Sequence, residues 1–458
     1  MNHTTFEHEV EEAFEAPAKV LAGGVEFVER EEQKLAEEPI VKGAGRYWKT
    51  LGPGLTTGAA DDDPSGIATY SQAGASYGLQ LIWLSLFTYP FMATVQEMCA
   101  RIGIVSGQGL AANIKKHYPA WALYGAVGLL FFANTLNIAA DLNAMAAAAQ
   151  LLAPNIGLDL LVIFFALVSL ALQIFIPYAR YANYLKYLTF SLFSYAIVAL
   201  LVHLDWGAVI YHTLVPSLSF SADQLFLVCA VLGTTISPYL FFWQSSQEVE
   251  EDVKRGETSV ASRQAHATPH ALRRMRVDVW SGMAFSNLVS FFIFAACAGT
   301  LHAHGITNIA TADQAALALK PFGDFAFLLF ALGILGTGLL AIPVFAGSTA
   351  YAFSESFGWK EGLYRKLKQA YAFYGVIIVS TLLGIIAVFA HLDPIKGLIY
   401  AAVANGVIAP ILLVFVVRLS GNKRIMGAHA SRPLAAALGW ATILIMAVSG
   451  VAALVTLG

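Results

Sequence analysis

The chain has 458 residues, 57% of them hydrophobic and only 12% charged, where an ordinary soluble domain has about 25% charged. With a mean hydropathy of +0.64, that excludes a water-soluble globular protein and indicates a chain that crosses a bilayer repeatedly. The net charge of −3 selects no partner; where the charges fall is more informative.

Residues 1–50 read as an acidic cytosolic tail: VEEAFEA and FVEREEQKLAEEP carry glutamates, with no basic stretch leading into the apolar run of a secretory signal. Apolar runs of about 20 residues then predict eleven transmembrane helices. Spans 1–5 lie near 51–74, 78–104, 121–152, 158–178 and 182–203; spans 6–11 lie near 224–247, 277–302, 323–353, 371–391, 395–417 and 434–457. With the N-terminus inside, all but Lys320 and Lys396 of the 27 Lys and Arg fall on the inner side, so the positive-inside rule predicts N-terminus cytoplasmic and C-terminus outside. The basic loop 254–276 is then a topological anchor, and no nucleic-acid partner is inferred. Cys99, Cys229 and Cys297 stand singly in apolar runs, which predicts neither disulfides nor a zinc site.

Span 1 is interrupted by DDDPSG and span 6 by GTTISP, Gly233 to Pro238. Proline removes a helical hydrogen bond and clashes with the preceding turn. Non-helical backbone at membrane depth survives only where it is buried in protein or lines a cavity. Matched breaks in spans 1 and 6 point to an inverted-repeat transporter of five plus five helices, with half-helix ends converging on an ion. The repeats are expected at 51–203 and 224–417, with a further helix at 434–458. Three consecutive helical positions fan over about 200°, so Asp61, Asp62 and Asp63 cannot all face one ion.

The residues GPGLTTGAADDDPSGIATYSQAG, QEMCARIGIVSGQGL, AADLNAMAAAAQLL, TTISPYLFFWQ and GTGLLAIPVFAGSTAYAFSESFGW resemble the natural resistance-associated macrophage protein (Nramp) family of divalent-metal transporters. The resemblance spans the family's eleven-helix length and implies an all-α polytopic membrane protein with a LeuT-like 5+5 inverted repeat, helices 1 and 6 broken. It is most similar to the divergent branch that transports magnesium. The family builds its metal site from DPGN on helix 1 and an MPHN-like motif on helix 6. Position by position, the resemblance places Asp63, the carbonyl of Ala60 and Gly66 at the first, and Ser237, Pro238, Tyr239, Leu240 and the carbonyl of Thr234 at the second. Ser237 replaces a soft thioether and Gly66 replaces an Asn, which is expected to open space. The remaining donors are all oxygen, which suits Mg²⁺ first and also Mn²⁺. Asp61 and Asp62 are expected to hold a hydrated cation through water. The family's proton-moving groups are thinned: Asp141 remains, its companion is Ala144, the helix 6 His is Tyr239, and span 9 has no Lys or Arg. Transport without proton coupling is therefore expected, the alternative being proton-coupled Mn²⁺/Fe²⁺ transport.

Among the other polar residues, Pro64 and Pro238 shape the breaks, Gln244 lines an inward path, and Asn405 contacts ion or partner helix. Glu97 is expected to pair with Arg101, one turn on. GASYG, Gly74 to Gly78, matches a nucleophile-elbow pattern but lacks the strand it needs, so no enzyme is predicted. No cofactor and no obligate protein partner are inferred beyond the transported ion and the lipid bilayer. A non-transporting sensor and an organic-solute carrier complete the alternatives, and short loops favour a prokaryotic inner membrane.

Overall fold

The computed structural model describes residues 52–176, 192–323, 325–389 and 393–457, and among these every regular element is helical. The expected tail and the first ten residues of span 5 lie outside the described residues. Span 1 is two helices, α1 (Pro53–Asp61) and α2 (Pro64–Tyr77), and span 2 is α3 (Trp83–Ser106). A short α4 (Leu110–His117) leads into α5 (Ala120–Leu152) and α6 (Leu158–Phe175), spans 3 and 4. The end of span 5 is α7 (Phe193–Leu201), and a short α8 (Trp206–Leu214) follows where only a loop was expected. Span 6 divides into α9 (Ala222–Thr235) and α10 (Pro238–Lys254); α11 (Val260–Ala265) precedes α12 (Pro269–Thr300), span 7. After α13 (Ala312–Ala316) come α14 (Phe325–Phe357), α15 (Tyr371–Val388) and α16 (Pro394–Gly421), spans 8 to 10. A turn, α17 (Lys423–Met426), separates these from α18 (Pro433–Leu457), span 11.

Eight of the described segments are long and apolar enough to cross a membrane, against the eleven expected. The difference has three physical sources. Span 1 carries Asp61, Asp62 and Asp63 at its break, whereas span 6 has no charged residue from Gln224 to Gln247 and reads as one apolar segment through its break. α3 carries Gln96, Glu97 and Arg101 in its apolar run, and the described part of span 5 holds a helix of only nine residues.

The two broken helices lie side by side and head to tail: α1 packs on α10, and α2 on α9. Exchanging spans 1–5 for spans 6–10 maps α5·α6 onto α14·α15, and α2·α12 onto α10·α3; each of these pairs is in contact. Such matched pairing is what an inverted five-plus-five repeat produces. Two asparagines on α5 bind the neighbouring helices to it. Asn134 donates to the Phe345 carbonyl, Ser348 and Thr349 of α14 at 2.8–2.9 Å. Asn137 and Asn405 of α16 exchange amide hydrogen bonds at 3.0 and 3.1 Å.

Glu97 pairs with Arg101 as expected. It also accepts from Arg276 at 2.9 Å and from the Trp280 indole at 2.7 Å, so one carboxylate ties α3 to α12. Lys115 and Lys116 of α4, Lys423 and Arg424 of α17 and Arg276 of α12, which binds Glu97, stand on elements packed against α3 and give the molecule a basic side.

α9 and α16 cross so closely that a Cβ on Gly233 would fall on the Ala402 carbonyl and the Gly406 amide. Both obstacles are backbone, so neither can rotate away, and overpacking of this kind costs about 1–3 kcal/mol. Gly233→Ala should therefore lower the thermal midpoint of the detergent-solubilised protein by several degrees, measured by fluorescence-detected size exclusion after heating; an unchanged midpoint would refute the close crossing.

Candidate ion site

Both breaks use one local design. A residue with extended backbone caps the second half-helix, and proline occupies its first turn: Asp63 with Pro64 in α2, Ser237 with Pro238 in α10. Proline is tolerated there because the first-turn N–H has no helical acceptor to lose. The two caps solve opposite problems. The Asp63 carboxylate faces forward and accepts the Gly66 amide at 2.7 Å and the Ser65 hydroxyl at 2.7 and 2.9 Å. The Ser237 hydroxyl faces backward, between the Gly233 and Thr234 carbonyls at the end of α9, 2.8 Å from each.

The breaks meet at Asp63. Thr234 Oγ1 lies 3.4 Å from its Oδ1 and 3.2 Å from Ser65 Oγ. The Tyr239 hydroxyl donates to the Ala60 carbonyl at 3.2 Å, its ring edge-on to Phe345 with centroids 4.4 Å apart. Tyr70 Oη and Thr235 Oγ1, 3.0 Å apart, join α2 to α9. Asp63, Ser65, Thr234, Ser237 and Tyr239 are each at most 1% exposed, so the arrangement is occluded.

Several expectations change at this level. The backbone carbonyl of Thr234 receives Ser237, and it is the Thr234 side chain that approaches Asp63. Gly66 leaves no void: a Cβ there would meet Thr234 Oγ1, Tyr70 Cε2 and Asp63 Oδ1 at 3.3–3.4 Å. Ser65, which sequence reasoning passed over, is a direct partner of Asp63; its place two residues after a capping aspartate was the available signal.

The three aspartates divide, as their helical spacing requires. Asp61 Oδ2 and Asp62 Oδ1 both approach the Ser286 hydroxyl of α12, at 2.7 and 3.1 Å. Their other oxygens are buried with no hydrogen-bond partner among the described residues. Ser286 was not anticipated, because it is more than 220 residues away in sequence. Among the described residues no three His, Cys, Asp or Glu side chains are grouped to hold a metal ion. An ion at Asp63 would therefore draw its remaining ligands from hydroxyl, backbone or water oxygen.

Asp141 on α5 is buried, and neither of its oxygens has a hydrogen-bond partner among the described residues; it is close enough to Asp63 for the two charges to interact. Asn405 is committed to Asn137. Gln244 is fully buried and donates to Glu248 at 2.9 Å, rather than lining an open path. Gly74 and Ser76 of GASYG belong to α2, and the Ser76 hydroxyl donates to the Thr307 carbonyl at 2.8 Å, so no nucleophile elbow forms.

Known proteins share this architecture. The chain is 27% identical over 341 residues to the divalent metal cation transporter MntH of Erwinia tasmaniensis, covering 68% of this chain and 74% of the relative. It is 26% identical over 417 residues to MntH of Yersinia enterocolitica, covering 86% and 92%. A crystal structure of the Eremococcus coleocola manganese transporter superposes with a TM-score of 0.72 at 19% identity, over 91% of this chain and 88% of that one. A nucleobase-cation-symport-1 family transporter in a closed conformation superposes with a TM-score of 0.51 at 14% identity, over 89% and 91%. The sequence pattern of the natural resistance-associated macrophage protein-like (Nramp) family matches residues 54–456, nearly the whole of the described chain, and the protein belongs to that family.

Proposed function

We propose that this chain is a secondary transporter of hard divalent cations, Mg²⁺ first and Mn²⁺ second. It works by alternating access, with its basic face in the cytoplasm and without obligatory proton coupling. The observation that carries the reading is the surroundings of Asp63: one carboxylate at the junction of two helix breaks, whose hydrogen-bond partners among the described residues are the Ser65 and Thr234 hydroxyls and the Gly66 amide. An oxygen set of low charge suits an ion that keeps part of its water shell. The relatives named above are called divalent metal cation and manganese transporters, which fits the same chemical class.

In the occluded arrangement the Ser65 and Thr234 hydroxyls lie close to Asp63. An arriving cation turns those hydroxyls so that their lone pairs face it, and draws the Ala60 carbonyl away from Tyr239. Asp61 and Asp62 lie across the break and act on the ion through water and through their field. At an interior potential of −100 mV a divalent ion gains about 4.6 kcal/mol on entry, twice the roughly 2.3 per charge. That is enough for uptake without a second ion.

One observation favours a second reading, proton-coupled transport of Mn²⁺ or Fe²⁺. Asp141 is a buried carboxylate without a hydrogen-bond partner among the described residues and within electrostatic reach of Asp63, as a proton carrier would be.

Asp63→Ala in proteoliposomes should reduce divalent-cation uptake to the protein-free background, and undiminished flux would end the site assignment. With a pH-sensitive dye inside the vesicles, Mg²⁺ entry should leave the signal flat. Acidification in step with the ion would replace the first reading by the second. Ser237→Met adds a soft donor and should raise the Mn²⁺-to-Mg²⁺ flux ratio roughly tenfold; an unmoved ratio would place Ser237 outside the ion's reach.

A further inference from the structure

α1 has nine residues, and its N-cap, Gly52, has no side chain with which to accept the first-turn amides. The acceptor comes from another helix. Asp278 on α12 takes the Gly52 amide on Oδ1 at 3.0 Å and the Gly54 amide on Oδ2 at 2.7 Å. A carboxylate on the amides of a helix N-terminus also faces the positive end of the helix dipole.

Between that end and the break, α1 touches α12 through backbone. A Cβ on Gly54 would sit 2.6 Å from the Val279 amide nitrogen, and one on Gly58 would fall on the Gly282 carbonyl. At the far end, Asp61 and Asp62 reach Ser286. The hydrogen bonds run at sequence offsets of 226, 224, 225 and 224, so α1 lies parallel to α12 in one constant register. A glycine-lined contact has no interdigitated side chains to hold it. The segment is a short rigid rod, joined to α2 by the non-helical Asp62–Asp63 link, smooth on the face toward α12 and fastened at its tip.

We infer that Asp278 is a positioning residue for transport: a clasp that holds α1 against α12 and keeps the basic face of the ion site closed, and whose release lets α1 move away and uncover Asp63. The inference rests on the transport reading for its purpose, although the clasp itself can be observed without flux. It also separates Asp278 from Glu97 of α3, whose bonds to Arg101, Arg276 and Trp280 tie continuous helices together.

The test places a reporter on α1. Thr57 is fully buried, and Cys99, Cys229 and Cys297 are buried too, so Thr57→Cys is a thiol whose reactivity follows exposure of α1. A membrane-impermeant maleimide is applied from the basic side to oriented proteoliposomes. Asp278→Ala should speed labelling of Thr57→Cys at least tenfold, and Asp278→Asn, which keeps one carbonyl acceptor, should fall between. Should the alanine variant fail to fold, the asparagine variant is read against the parent by itself. Equal labelling rates in folded Asp278 variants and the parent would overturn the clasp. Mg²⁺ and Mn²⁺ flux of the Thr57→Cys parent keeps the two readings apart. Flux with unresponsive labelling refutes the clasp alone, whereas responsive labelling in a parent that moves no ion refutes the transport reading and leaves the clasp standing.

Discussion

A backbone that abandons helical geometry inside a bilayer must find partners for every N–H and C=O it frees, because no lipid will supply them. Most of what is distinctive here meets that demand. At the first break a carboxylate gathers the donors of α2; at the second a hydroxyl gathers the acceptors of α9. Tyr239 closes the set by donating to Ala60 across the gap. The groups that make two broken helices tolerable are thus the same oxygen groups that the proposed function assigns to the cation.

The same economy explains why three adjacent acids can be buried together. They do not share one environment. Asp63 looks toward span 6, while Asp61 and Asp62 look toward span 7 and divide one serine hydroxyl between them. A single hydroxyl hydrogen cannot satisfy two carboxylates, so this part of the core is electrostatically incomplete, as buried polar networks at functional sites commonly are. Asp141 on α5 is a fourth buried carboxylate, and neither of its oxygens has a hydrogen-bond partner among the described residues. The pair Asn137–Asn405, by contrast, is reciprocal and joins α5 to α16.

Whatever depended on local chemistry could be read from the sequence. Eight of the eleven expected spans followed from apolar run length, the breaks from Pro64 and Pro238, and the Glu97–Arg101 pair from its four-residue spacing. What depended on which helix lies beside which could not. Ser286, the Arg276 and Trp280 partners of Glu97, and the Ala60 contact of Tyr239 join positions far apart in the chain, and their identities as serine, arginine or tyrosine carry no address. The Gly66 expectation erred for a related reason: removing a side chain leaves space only if the neighbours stay put, and here Tyr70 and Thr234 close in.

The constant register between spans 1 and 7 has an evolutionary corollary. It extends beyond the break, for a Cβ on Gly74 in α2 would still meet the Phe294 carbonyl and Cys297 of α12. Inserting or deleting one residue anywhere from Gly54 to Gly74 would turn everything beyond it by about 100° and slide it about 1.5 Å. Glycine faces would become side-chain faces and Asp63 would leave the second break. Substitutions can therefore accumulate in this stretch while changes of length cannot, and drift in length is confined to the turns beyond Tyr77 and Thr300.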